Sequence, residues 1–220
     1  MYVEVGEKKT FAGAIDWPGW CRSGKDADAA MQALFDYGPR YAKVLHAAKM
    51  TFRAPTDRAA LKLTERLKGN ATTDFGAPDM VPAQDDEPIK GADLTRLKKI
   101  LKASWAALDD AVKAAAHTEL RKGPRGGGRD VHKMIGHVLD SQTSYLRQLA
   151  WKSKTPTSKD LHENIQLVEQ NTLDALEAAA HGDLPTEGPR GGKLWLPRYF
   201  VRRTTWHLLD HVWEIEDRVS

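Results

Sequence analysis

Two short motifs each occur twice in the second half of the chain, in the same order, and this repeat limits the fold more than any other feature. Gly123-Pro124-Arg125-Gly126-Gly127 recurs as Gly188-Pro189-Arg190-Gly191-Gly192, offset by 65 residues. His137-Val138-Leu139-Asp140 recurs as His207-Leu208-Leu209-Asp210, offset by 70. The five-residue difference fits a longer connection in the second copy, around Trp195-Leu196-Pro197-Arg198-Tyr199. Apolar residues fall at helical spacing in four stretches, roughly 92–118, 130–151, 160–181 and 198–218. Leu94, Leu97, Ile100, Leu101, Trp105 and Leu108 mark the core stripe of the first, and Ile165, Val168, Leu173, Leu176 and Ala179 that of the third. Each half thus reads helix, glycine-rich loop, helix. Two such hairpins related by an approximate two-fold axis make a four-helix bundle.

The first 88 residues read differently. Tyr2–Val5 and Thr10–Ile15 alternate as short strands across the turn Gly6-Glu7-Lys8-Lys9. Asp16-Trp17-Pro18-Gly19-Trp20 ends the second strand. Asp26 or Asp28 can cap a helix running through Ala29, Met31, Leu34, Phe35 and Tyr41. A further helix is expected at about Thr56–Leu67 and a strand around Ala71–Phe75. Residues 76–90 carry three prolines and the acids Asp79, Asp85, Asp86 and Glu87, the composition of an exposed connection. The expected class is therefore α+β, with an α/β module over 1–88 and a helical bundle over 89–220.

A chain of 220 residues with 41% hydrophobic and 29% charged residues suits a soluble globular protein. The 33 basic residues nearly balance the 30 acidic ones, so no concentrated basic face argues for nucleic acid. Arg121, Lys122, Arg125 and Arg129 cluster, but without interleaved aromatics they read as a solvated loop. No run is long and apolar enough to span a bilayer, and the N-terminus lacks the apolar core of a signal peptide. Cys21 is the single cysteine, which excludes an internal disulfide and agrees with a reducing compartment, so a cytoplasmic location is expected.

Chemistry concentrates on the histidines. His207 and His211 are one helical turn apart on one face and can close on a single ion. That spacing alone is common by chance; the repeat adds a specific third imidazole, His137, at the place equivalent to His207 on the facing helix. Three nitrogens with an open position are the pattern of a catalytic metal site. Asp140 and Asp210, one turn from their histidines, are candidates to orient the imidazoles, and Glu214 shares the face of His207. Any of the three is a candidate general base. His132 is off the face of His137, while His46, His117, His162 and His181 fall near helix ends or surfaces. The Gly-Pro-Arg-Gly-Gly loops lack the lysine and Ser/Thr of a P-loop and read first as turns, with Arg125 and Arg190 as candidate substrate contacts. Tyr145, two turns after His137, is a candidate pocket wall, and nothing beside Cys21 would activate its thiol.

With His137 in the second helix and His207-Leu-Leu-Asp-His211 in the last, residues from about 91 to 220 resemble the DinB/YfiT-like superfamily of four-helix metalloproteins. The resemblance implies a divalent metal, zinc or nickel, on His137, His207 and His211, and often a homodimer. It also implies a small-molecule substrate and, in several members, a low-molecular-weight thiol used in a transferase or isomerase reaction. Over residues 1–50, the run Phe11-Ala-Gly-Ala-Ile-Asp-Trp-Pro-Gly-Trp-Cys21 followed by Ser23-Gly24 and a helix resembles a HicB-like module. No separate DNA-binding segment accompanies it, so an interaction or substrate-gating role is expected of it. Leu208 occupies the place of the zincin glutamate, which disfavours a peptidase of that type. The alternative is a non-catalytic interaction protein whose metal site is structural or vestigial.

Overall fold

The computed structural model describes residues 1–116, 118, 120–122, 130–188 and 191–219. Its class is α+β, a small sheet followed by long helices. Strands β1 (Tyr2–Val5) and β2 (Thr10–Gly13) form the expected hairpin, in antiparallel register with Tyr2 opposite Gly13. The second strand stops short of Ile15 because the backbone N–H of Ala14 turns to the Trp20 carbonyl, closing the Trp17–Trp20 turn. The chain then forms an unexpected third strand, β3 (Cys21–Gly24), antiparallel to β2.

Asp26 caps α1 (Ala27–Asp36) by accepting from the Ala29 N–H. The helix does not run on through Tyr41 as the apolar spacing suggested. Pro39 has no N–H for an interior helical bond, so the chain restarts at Gly38 as α2 (Gly38–Ala47) with the proline in its first turn. Residues 56–70 also depart from expectation. A short 3-10 turn (Arg58–Ala60) leads into β4 (Glu65–Lys68), parallel to β1, where a helix was expected. Leu61, Leu63 and Leu67 fall at odd positions only, a period of two that fits a strand and not a helix. Ala71–Phe75, expected as a strand, is the short helix α3. Asn70 accepts from Thr72 and Thr73, and the Thr73 hydroxyl accepts from Asn70 N–H in return, a reciprocal cap that nucleates a helix. Sheet order is β3-β2-β1-β4.

Four helices follow: α4 (Gly91–Ala115), α5 (Val131–Gln148), α6 (Leu161–His181) and α7 (Pro197–Val219). They match the expected stretches to within a few residues at each end. The segment before them is no exposed connection, because Pro82, Asp85 and Ile89 are buried in it.

One apolar cluster joins both parts. Val3, Ala12, Trp20, Leu34, Tyr41 and Leu45 pack with Trp105, Leu108, Met134, Val138, Leu208, Val212 and Trp213. Helix α7 lies at the centre, buried around its whole circumference from Tyr199 to Leu209. One of its faces meets α4 and α5; the other meets the N-terminal layer, where Phe11 stands edge-on to Trp206 at 5.9 Å. Gly19 holds a left-handed φ of 94°, and a side chain there would meet Leu209 Cδ1 at 3.0 Å and Thr205 Cβ at 3.1 Å. The Trp17–Trp20 turn thus sits directly on the helix that carries two of the histidines.

Candidate metal centre

Asp130 caps α5 by accepting from the Lys133 N–H, and the apolar stripe Met134, Ile135, Val138, Leu139 and Leu146 presses that helix onto α7. This docking presents His137 to His207 and His211. The three rings meet edge to face with centroids 4.8–5.3 Å apart. One ring nitrogen of each lies within 4.8 Å of the others, and Nε2 of His207 is 3.4 Å from Nε2 of His137. Nitrogens bound about 2.05 Å from one ion at tetrahedral angles stand about 3.3 Å apart. The His137–His207 pair already has that separation, and His211 needs only a small closing motion. Neutral imidazoles suit zinc, nickel, copper and iron alike.

The second ring nitrogens of His211 and His207 are held from behind. His211 Nδ1 donates to Glu214 Oε2 at 3.0 Å, and Arg218 donates to the other carboxylate oxygen at 3.2 Å. The bond from His211, then the nearby positive charges, hold the Glu214 carboxyl below its ordinary pKa. An Nδ1–H pinned on a carboxylate leaves the Nε2 lone pair free to ligate. His207 Nδ1 faces the side-chain amide of Gln142 at 3.3 Å, and Gln142 Oε1 is a buried oxygen without a hydrogen-bond partner. Rotating that amide by half a turn puts the oxygen on Nδ1–H, the arrangement a ligating His207 requires. Both supports fit a metal bound at Nε2. Replacing Gln142 by Leu is expected to weaken zinc binding about 10–100-fold in a chelator competition, and Gln142→Glu to restore it.

The structure distributes the other candidates. Asp210 lies in an ion pair with Arg22 of β3 at 2.7 Å, on the side of α7 turned to the sheet. Asp140 is exposed on α5. Tyr145 lies in the wall, its ring 5.8 Å from that of His207 and 5.0 Å from Trp195, and burial raises its hydroxyl pKa. His46 donates to the Phe52 carbonyl and His162 pairs with Asp109, so neither joins the cluster. Arg125, Arg190 and His117 lie outside the described residues. In the second glycine loop, the N–H groups of Gly188 and Gly191 bond to carbonyls of the same turn, which leaves them spent internally. Cys21 is buried, and burial pushes its thiol up to about 12.

Sequence reading missed two neighbours of the site. Gln142 is a polar residue inside the apolar stripe of α5, and that position was its signal. Arg203 is four residues before His207, so it continues the face of His207 and His211 by one turn.

No family model matches this chain, and no curated protein and no solved structure matches it either. Among the described residues, no helix is long and apolar enough to cross a membrane.

Proposed function

We propose that this chain is a metal-dependent enzyme whose centre is the cluster His137, His207 and His211. The observation that carries the reading is the convergence of three imidazole nitrogens from two helices, two of them backed through Nδ1 by Glu214 and Gln142. A divalent ion bound there with an open position supplies Lewis acidity and lowers the pKa of a water or thiol ligand. Every other task falls to the protein. Glu214 and Gln142 fix the ring orientations. Trp206, Tyr145 and Trp195 form apolar walls that limit water around the histidines. Burial raises the Tyr145 hydroxyl pKa, so it keeps its proton at neutral pH, and the hydroxyl accepts from the Arg203 guanidinium.

Asp210 is committed to Arg22, and Glu214 to His211 and Arg218, so neither is placed as a free general base. A mechanism that uses an ionised small thiol as nucleophile needs no such base. This agrees with the thiol-dependent transferase or isomerase chemistry that the likeness to DinB/YfiT-like bundles suggests.

The test is reconstitution of the whole chain with cobalt(II), followed by titration with azide. One cobalt per chain and a visible spectrum that changes with azide are the expected results. Stoichiometric cobalt with an azide-insensitive spectrum would mean a closed structural site, and no stoichiometric binding would end the metal reading.

A further inference from the structure

Adjacent arginines on α7 differ in how their charge is met. Arg202 directs Nε and Nη2 at the two oxygens of Asp85, at 2.9 and 2.6 Å, in a side-on fork within the protein. Arg203 is also buried, at 9% exposure, yet among the described residues it forms no ion pair, and its Nε has no hydrogen-bond partner. Its Nη1 donates to the Pro78 carbonyl at 2.5 Å, and its only other hydrogen-bond partner among the described residues is the neutral Tyr145 hydroxyl. Asp79, next along that segment, gives its carboxylate instead to Asn70 Nδ2 at 2.7 Å and the Tyr199 hydroxyl at 3.4 Å.

The position of this cation relates it to the histidines. Residues 203, 207 and 211 are successive turns of one face, so Arg203 begins about 6 Å along the helix axis from His207. The Arg203 guanidinium carbon stands 4.8 Å from the ring centre of Trp206 and 5.6 Å from that of Tyr145. These same two rings lie 6.0 and 5.8 Å from the His207 ring. The guanidinium and His207 therefore share two aromatic neighbours. A buried guanidinium without a counter-charge is costly, and the side-on edge of Arg203 has the geometry that a planar carboxylate fills at Arg202.

We infer that Arg203, assisted by Tyr145, is an anion subsite and that the substrate or thiol of this site carries a carboxylate about one helical turn from the atom that approaches the histidines. The inference rests on the metal-centre reading and narrows its substrate class to small carboxylates. Lysine would not replace Arg203, because a point charge cannot offer the paired donors.

The experiment compares 3-mercaptopropionate with its uncharged amide, two ligands of equal shape. Affinity for the cobalt-loaded full chain is read from thiolate-to-cobalt absorption. The carboxylate is expected to bind about 30-fold more tightly than the amide. In Arg203→Gln and Arg203→Lys the preference should fall to within about threefold, with amide affinity unchanged. Equal affinities in the unaltered protein would overturn the subsite while leaving the metal centre standing. A preference that survives both substitutions would also overturn it, by assigning the preference to chelation.

A second arm uses the metal-free chain and follows the Arg203 Nε–H signal by NMR as 3-mercaptopropionate is added, with the signal assigned by its loss in Arg203→Lys. A saturable shift supports the subsite even if cobalt fails to bind, and a static signal counts against it whatever the metal does. Failure of the metal reading and failure of the subsite are thus distinguishable.

Discussion

Removing His207 and His211 together is expected to abolish stoichiometric zinc binding, with affinity falling at least about a thousandfold. That exceeds the roughly 10–100-fold loss that follows from removing a supporting residue, because two of three nitrogen donors disappear. A spacing of four residues on α7 could by itself bind an ion weakly, so the informative partner is His137→Ala on α5. If all three rings act together, this single change weakens binding strongly as well; if the α7 pair acts alone, affinity stays as it was. Zinc at a thousand times its dissociation constant adds about 4 kcal/mol to folding stability. The unaltered chain should therefore melt at a higher temperature with zinc, and the double variant should show no such rise. Circular dichroism of the metal-free variants separates lost ligation from lost fold. Binding should also weaken as pH falls, since an imidazole must be neutral to ligate. Equal metal content in the double variant and the unaltered chain would end the assignment.

The helical half was legible in the sequence because long amphipathic helices repeat their signal over many turns. Leu97, Ile100, Leu101, Trp105 and Leu108 are all buried on α4, and one missed position could not have hidden that stripe. The histidine cluster was legible for the same reason, since HxxxH is a helix-face statement and the repeated His-x-Leu-Asp motif named the facing residue. The α/β layer was harder. Its strands and α3 run four or five residues, too short for periodicity to outvote local chemistry. At α3 the deciding element was the reciprocal cap of Asn70 and Thr73, and at residue 38 it was Pro39.

Partnerships between distant segments were the least legible. Asp140 and Asp210 occupy equivalent places in the repeat, yet one is exposed and the other pairs with Arg22, 188 residues away. The repeat describes two hairpins and contains no information about the N-terminal layer packed against α7, where Arg22 meets Asp210. Gln142 and Arg203 went unnoticed for a related reason. Spacing places both beside the histidines, but what singles them out is an unpartnered buried atom, a property of the packed state.

Replacing Asp85 by Ala is expected to cost about 3–5 kcal/mol of folding stability, the range for stranding one member of a buried ion pair. Asp85 is 1% exposed and Arg202 6%, and the guanidinium is already committed on every side. It forks onto Asp85 and also donates to the carbonyls of Ala14 at 2.8 Å and Ile15 at 3.2 Å. One side chain of α7 therefore ties the end of β2 to the segment that leads into the bundle. Without Asp85 the guanidinium cannot turn to solvent unless it breaks the two carbonyl bonds. In a chain of this size a loss of about 4 kcal/mol lowers the melting midpoint by roughly 8–16 °C. Urea unfolding should show the midpoint move while the slope stays constant. An apolar pair, Arg202→Met with Asp85→Leu, should regain most of the loss, because what destabilises the single variant is the uncompensated charge and not the missing attraction. If Asp85→Ala cost under about 1 kcal/mol, the pair would behave as a surface contact, and the N-terminal layer would have to be held on α7 by apolar packing alone.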